Sequence, residues 1–198
     1  MKSKKYFYNN RIWILILPLA FWCSCQSKIP SSGKMVANNN EWKAFLQKEL
    51  PLLGHRNWIM IVDKAFPALN APGMEVIYAD DNLLSVLKYT LNEIDSSSHV
   101  RPIIYVDKEM QFITPQLEKG VDVFRDSLKN ILNNQPMHPE LHDSVFTNIQ
   151  KTSELFKVLV IKTNGTRAYS SVFLQLDCAY WNAEQEAQLR EAMKSGQP

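Results

Sequence analysis

At 198 residues with 45% hydrophobic content, the chain is long enough to bury one ordinary globular core, and one domain is expected. Its formal charge of +2 is set by the first 24 residues, where Lys2, Lys4, Lys5 and Arg11 stand without an acid. Removing those four from 22 basic residues leaves 18 against 20 acidic ones, a net charge of −2, so a nucleic-acid partner has no electrostatic footprint here and none is expected.

The basic start is followed by an apolar run of 11 residues, Ile12 to Trp22, and then by Cys23-Ser24-Cys25. A bilayer-spanning helix needs about 20 apolar residues, so the run reads as the core of a signal peptide. A cysteine behind the apolar core and a small residue resembles a bacterial lipobox. Residues 1–25 are therefore expected to be a lipoprotein signal peptide with Cys25 as the lipidated residue, since Ser24 precedes it whereas Trp22 precedes Cys23. The expected location is the bacterial cell envelope, lipid-anchored and facing the periplasm. Cys178 is then the sole thiol of the folded part, so neither a disulfide framework nor a cysteine metal site is expected; it reads as a small buried hydrophobe.

Residues 26–40 hold Ser, Pro, Gly and a run of Asn, and read as a flexible tether. From Glu41, the spacing of Trp42, Phe45, Leu46 and Leu50 predicts a first helix, capped by Asn40 and stopped near Pro51. Trp58 to Val62 is a short apolar run between polar and Gly/Pro signals and predicts a buried strand. His55 and Asp63 stand at its two ends, and Asp63 takes the carboxyl end, where open α/β sheets place ligands.

An irregular loop leads to a second strand, Met74 to Ala79, and Asp80-Asp81-Asn82 caps a helix to about Ile94. A third strand covers Pro102 to Val106 and ends on Asp107. Thr114-Pro115 predicts a helix start, with the helix continuing to about Leu132. A break at 133–139, a helix near Ser144 to Phe156 and a strand Lys157 to Lys162 follow. Asn164-Gly165 predicts a hairpin turn into a strand from Tyr169 to Leu176, and Asn182 caps a last helix, Ala183 to Lys194. The pattern predicts a three-layer α/β/α domain over 41–181, with a mostly parallel sheet and an antiparallel edge hairpin, and an added C-terminal helix in 182–198.

The ionisable groups expected in loops are His55, Asp63, Asp80, Asp107, His138, His142, Arg167 and Tyr169. His138 and His142 are four apart, but Pro139 breaks the turn between them and no Glu follows the first. The stretch reads as a solvated loop, and no metal is expected.

The ordered blocks Leu53-Gly54-His55, the apolar strand, Asp63 and Phe66-Pro67, then Val76 to Asp80, then Gly165-Thr166-Arg167-Ala168-Tyr169 resemble the RbsD/FucU family. This is the family of D-ribose pyranases and L-fucose mutarotases, and the likeness is closer to the fucose branch. The resemblance implies a three-layer α/β fold, a ring-shaped homo-oligomer, often a decamer, and sites between neighbouring subunits. It implies interconversion of anomers or ring forms of a free monosaccharide such as L-fucose or ribose, with no cofactor. His55 matches the catalytic His and Asp63 the acid after the strand. Tyr169 matches the tyrosine of the last motif, and Asp80, Arg167 and Ser171 are implied as substrate-binding. Asn57, Ile149 and Ser171 stand where the family carries Asp, Arg and Asn. These changes motivate the alternative of a non-catalytic sugar-binding or assembly lipoprotein that keeps the fold.

Overall fold

A computed structural model describes residues 41–133 and 135–196 of the chain. The expected signal peptide, its Cys25 and the tether lie outside the described residues. Helix α1, Glu41–Glu49, runs into a short 3-10 turn, Leu50–Leu52, and strand β1, Trp58–Val62, follows. Then come β2, Met74–Tyr78; α2, Leu83–Asp95; β3, Val100–Asp107; and α3, Val121–Ile131. The last elements are β4, Met137–Glu140; α4, His142–Ser153; β5, Val158–Lys162; β6, Val172–Cys178; and α5, Ala183–Ser195. Among the described residues, no helix is long and apolar enough to cross a membrane.

The strands form one sheet in the order β2-β5-β1-β6-β3-β4. The β2–β5, β5–β1 and β3–β4 pairings are parallel, and the two pairings of β6 are antiparallel. Five strands therefore share one direction and β6 alone opposes them. The mostly parallel sheet is as expected; the edge hairpin is not. β5 and β6 flank β1 on opposite sides, so Asn164-Gly165 begins a connection past β1 rather than a two-residue turn. That connection is tied down locally, with Asn164 N–H donating to Asp81 and Lys64 N–H donating to the carbonyl of Gly165 at 2.7 Å.

Every residue of β1 is buried, because helices cover both faces of the sheet. Ile59 and Ile61 point into a core shared with Trp42 and Leu46 of α1, Leu87 of α2 and Leu128 of α3. Trp58, Met60 and Val62 point the other way, onto Val145 and Ile149 of α4 and Phe66 of the following loop. Alternation along one strand thus builds the three layers.

Four local expectations need correction. The stretch 114–120 is not helical: α3 starts at Val121 behind Gly120, whose φ of +81° terminates the preceding turns. The break at 133–139 contains β4, which pairs with β3 from Ile104↔Met137 to Asp107↔Glu140. Its residues are mostly exposed and carry no strand periodicity, which hid it. His142 opens α4 instead of sitting in a solvated loop. Cys178 is half-buried at the end of β6, not a core residue. By contrast, α2 has the predicted cap, with Ser85 N–H donating to Asn82 Oδ1 at 2.9 Å, and α5 starts with a capping box on Asn182 and Gln185.

Candidate active site

Because β6 runs against its neighbours, its amino end lies beside the carboxyl ends of β1 and β3. The register makes this specific: Ile61 pairs with Val172, and Val172 pairs with Val106. The next residues along each strand are Val62-Asp63, Ser171 and Asp107, so two carboxylates flank a buried serine across three strands. Glu140 pairs with Asp107 on the outer side and is followed, two residues later, by His142. The rim thereby gathers Asp63, Asp107, His142, Tyr169 and Ser171 from segments spread over more than half of the domain. This is the crevice position expected for a sheet of parallel strands.

Asp63 is held in place from two directions. Its Oδ1 accepts from Ala65 N–H at 2.7 Å, and its Oδ2 accepts from Ser171 Oγ at 3.4 Å. Ser171 is 1% exposed, so it orients Asp63 from below instead of facing solvent. Beside Asp63, Lys64, Ala65, Thr166, Arg167 and Ala168 line a cleft of 390 Å³. Arg167 forms an ion pair with Glu118 at 2.8 Å and lies over the Phe124 ring, 5.1 Å from its centroid. Its charge is matched within the wall of the cleft.

Tyr169 enters β6 with φ +52°, a left-handed conformation that a bulky residue rarely takes. Such strain persists where surroundings over-determine it, and it concentrates at functional sites. The phenol ring stands perpendicular to the His142 imidazole, centroids 5.5 Å apart, and the same imidazole meets Phe146 edge-on at 4.7 Å.

Asp107 and His142 are the residues that sequence reasoning undervalued. Asp107 is fully buried; its Oδ1 is 2.9 Å from His142 Nδ1, while its Oδ2 has no hydrogen-bond partner among the described residues. Burial pushes the Asp107 carboxyl above its ordinary value, the His142 hydrogen bond opposes that, and Glu109 and Asp63 add to the upward push. Glu109 also accepts from His142 N–H, at 3.1 Å and 3.2 Å. The available signal was punctuation: Asp107 closes its strand as Asp63 closes β1. No group of three or more His, Cys, Asp or Glu among the described residues is arranged to hold a metal ion, and His138 instead tilts against the Tyr105 ring at 5.3 Å.

His55 lies elsewhere. It precedes β1, so about 16 Å of strand separates it from Asp63 at roughly 3.3 Å per residue. Its Nδ1 is 3.0 Å from Asp177 Oδ1, and Arg101 binds the other oxygen of Asp177 at 2.7 Å. Burial pushes Asp177 up, but hydrogen bonds from Arg101, the Cys178 N–H and His55 outweigh it and hold the carboxyl below its ordinary value. Asn57 closes the turn under His55, accepting from Gly54 N–H at 2.7 Å and donating to the Lys157 carbonyl at 3.1 Å. The carboxylate beside this histidine thus comes from β6 and not from position 57. Asp80 follows β2, the far edge strand, and accepts from Tyr78 Oη at 3.0 Å. The chain therefore brings together Asp63, Tyr169, Arg167 and Ser171, leaves His55 at the opposite end of β1, and sets Asp80 on the same rim as Asp63 but two strands away.

A scan of family models finds no match, and no curated protein sequence matches either. Solved structures do match. RbsD of Bacillus subtilis, complexed with D-ribose, is 17% identical, with a TM-score of 0.50 over 73% of this chain and 96% of that one. FucU of Bifidobacterium longum is 16% identical, with a TM-score of 0.49 over 68% and 94%. The fold is the RbsD type, as the resemblance implied.

Proposed function

We propose that the chain is a cofactor-independent sugar isomerase that interconverts anomers or ring forms of a free monosaccharide by general acid–base catalysis. The observation that carries this reading is the polar rim of Asp63, Ser171 and strained Tyr169 on a fold shared with a ribose-bound protein. Opening a hemiacetal ring requires a base for the anomeric hydroxyl proton and an acid for the ring oxygen. Positioned groups of this kind accelerate such transfers typically 10²–10⁴-fold. Asp63 is suited to holding sugar hydroxyls or orienting the base, and Tyr169 to the second proton transfer. On this reading His55 serves a rim other than that of its own chain. It reaches the Asp63 end of a neighbouring copy in a ring-shaped homo-oligomer.

Saturation-transfer NMR on a panel of aldoses that includes L-fucose and D-ribose tests the proposal. Exchange between anomers faster than in buffer is the expected result, and no acceleration for any sugar overturns it. Calorimetric titration then separates the second reading, a sugar-binding lipoprotein, which binds without exchange. That reading draws support from Ile149, fully buried on α4, where the resemblance implies a sugar-binding Arg.

We place the protein in the bacterial envelope, anchored through lipid on Cys25. Acyl chains bind a bilayer with about 0.8 kcal/mol per buried methylene. The protein is then expected in the membrane fraction, and Cys25→Ser is expected to release it.

A further inference from the structure

A second cleft lies away from the rim, on the face of the sheet that α2 and α3 cover. Both helices return from the carboxyl ends of the strands and stop at the opposite end, α2 at Asp95 shortly before β3 starts and α3 at Ile131 shortly before β4. Their last turns and the residues behind α3 enclose 350 Å³, at the small end of the range for ligand sites. The floor is apolar: Leu91 is 6% exposed and belongs to the core, and Ile131 packs half-buried against it. Around that floor stand Asn92 on α2, Asn130 on α3, and Asn133 and Gln135 behind α3. Elsewhere Asn57, Asn82 and Asn182 each close a turn or cap a helix. The four amides of the cleft make no side-chain hydrogen bond to any described residue, and all four residues are exposed. The φ of +48° at Asn133 accounts for an asparagine there, because Asn tolerates the left-handed region. Asn92 and Asn130 have no such account: exposed helix positions favour Lys or Glu over Asn, and neither side chain caps its helix.

We propose that this cleft binds a neutral saccharide, at a site separate from the rim and independent of the isomerase reading. A carboxamide offers two donors and an acceptor, and a sugar hydroxyl both donates and accepts, so convergent amides match neighbouring hydroxyls in either sense. Leu91 and Ile131 supply an apolar floor for the C–H face of the sugar ring. The charges around the cleft select against an ionic ligand. Lys88 and Asp95, the charged residues of the lining, stand on α2 about 10 Å apart along its axis, and their charges cancel. The carboxyl-terminal ends of two helices add partial negative charge, which disfavours a phosphate or a carboxylate. An extended peptide fits less well, since it binds by continuous backbone pairing to a sheet edge, and two helix ends present none. A saccharide held here leaves the Asp63 rim open at the other end of the sheet, so a chain bound to a glycan can still take a free sugar there.

The test is calorimetric titration of the full chain with three neutral glycans, maltotriose, cellotriose and triacetylchitotriose, and with a blocked neutral peptide, N-acetyl-trialanine amide. Saturable binding of at least one glycan is expected. A double variant, Asn92→Ala with Asn130→Ala, removes two amides at exposed helix positions where Ala is the better helix former, so the fold is retained. It is expected to bind that glycan about tenfold more weakly or worse, through the lost hydrogen bonds. Asp63→Asn, which alters the rim, is expected to bind it as wild type does. Absence of binding by all three glycans overturns the proposal, as does binding by the double variant within about twofold of wild type. Loss of binding in Asp63→Asn with retention in the double variant assigns the sugar to the rim and overturns it too. Binding of the peptide and of none of the glycans makes the cleft a peptide site and overturns the saccharide assignment.

Discussion

At the scale of single residues, the rim sets function against stability. Tyr169 holds a left-handed backbone that costs of order 1–3 kcal/mol in a non-glycine residue, and it does so although the residue is 40% exposed. Asp107 is the sharper case, because its folded-state carboxyl is raised, chiefly by burial. The sign follows from linkage. A group with a raised folded pKa adds stability while protonated, below its unfolded value, and that contribution is lost as pH rises through the folded value. At neutral pH the ionised Asp107 is therefore a burden on the fold. Asp107→Asn keeps the shape and removes the charge, so its urea midpoint is expected to equal or exceed that of wild type at pH 7. The advantage should shrink as pH falls through the carboxylate range. A midpoint well below wild type at pH 7 would mean that the pair with His142 is a net structural support.

At the scale of elements, legibility followed burial on both faces. β1 and β5 were readable because helices cover both sides of the sheet, which demands unbroken runs such as Trp58 to Val62. α2 and α5 were readable because Asn82 and Asn182 carry their caps. β4 was not, since an exposed edge strand of Met-His-Pro-Glu has neither alternation nor an apolar run. The order of strands was not legible either: Asn164-Gly165 is a local signal, and whether the next strand pairs back or passes over β1 is decided by the whole sheet. The same limit applies to the site. Asp63 and Asp107 were visible as punctuation at strand ends and Tyr169 through the family resemblance, whereas the pairing of Asp107 with His142 depends on β4 lying beside β3. One glycine shows how tightly elements meet. A Cβ on Gly73 would lie 2.4 Å from the backbone carbonyls of both Ser153 and Phe156, where α4 hands over to β5. Neither backbone can yield cheaply, because Gly73 N–H donates to Ser153 and Val158 N–H donates back to Gly73. Gly73→Ala is expected to cost about 3 kcal/mol, the upper part of the overpacking range, measured by urea unfolding. A loss under about 0.5 kcal/mol, the surface level, would contradict this packing.

At the scale of the whole molecule, the question is how His55 and the Asp63 rim relate, since β1 keeps them at opposite ends of one chain. If His55 works at a neighbour's rim, each site takes its histidine from one copy and its aspartate from the next, and the site is incomplete in a lone chain. Two variants, His55→Ala and Asp63→Asn, are then each inactive alone but can complement one another. In a randomly mixed ring of equal parts, a given interface has both wild-type residues in about a quarter of cases, because each partner contributes its intact residue half of the time. Unfolding and refolding the two variants together should therefore restore about a quarter of wild-type exchange, while mixing them folded restores none until subunits exchange. The pair on the rim makes the opposite outcome equally readable. If Asp107 and His142 suffice within one chain, His55→Ala retains exchange on its own, and the Asp177–Arg101–His55 cluster at the far rim is a structural clamp between β6, β3 and the turn before β1. The complementation experiment thus separates a site shared between subunits from one contained in a single chain.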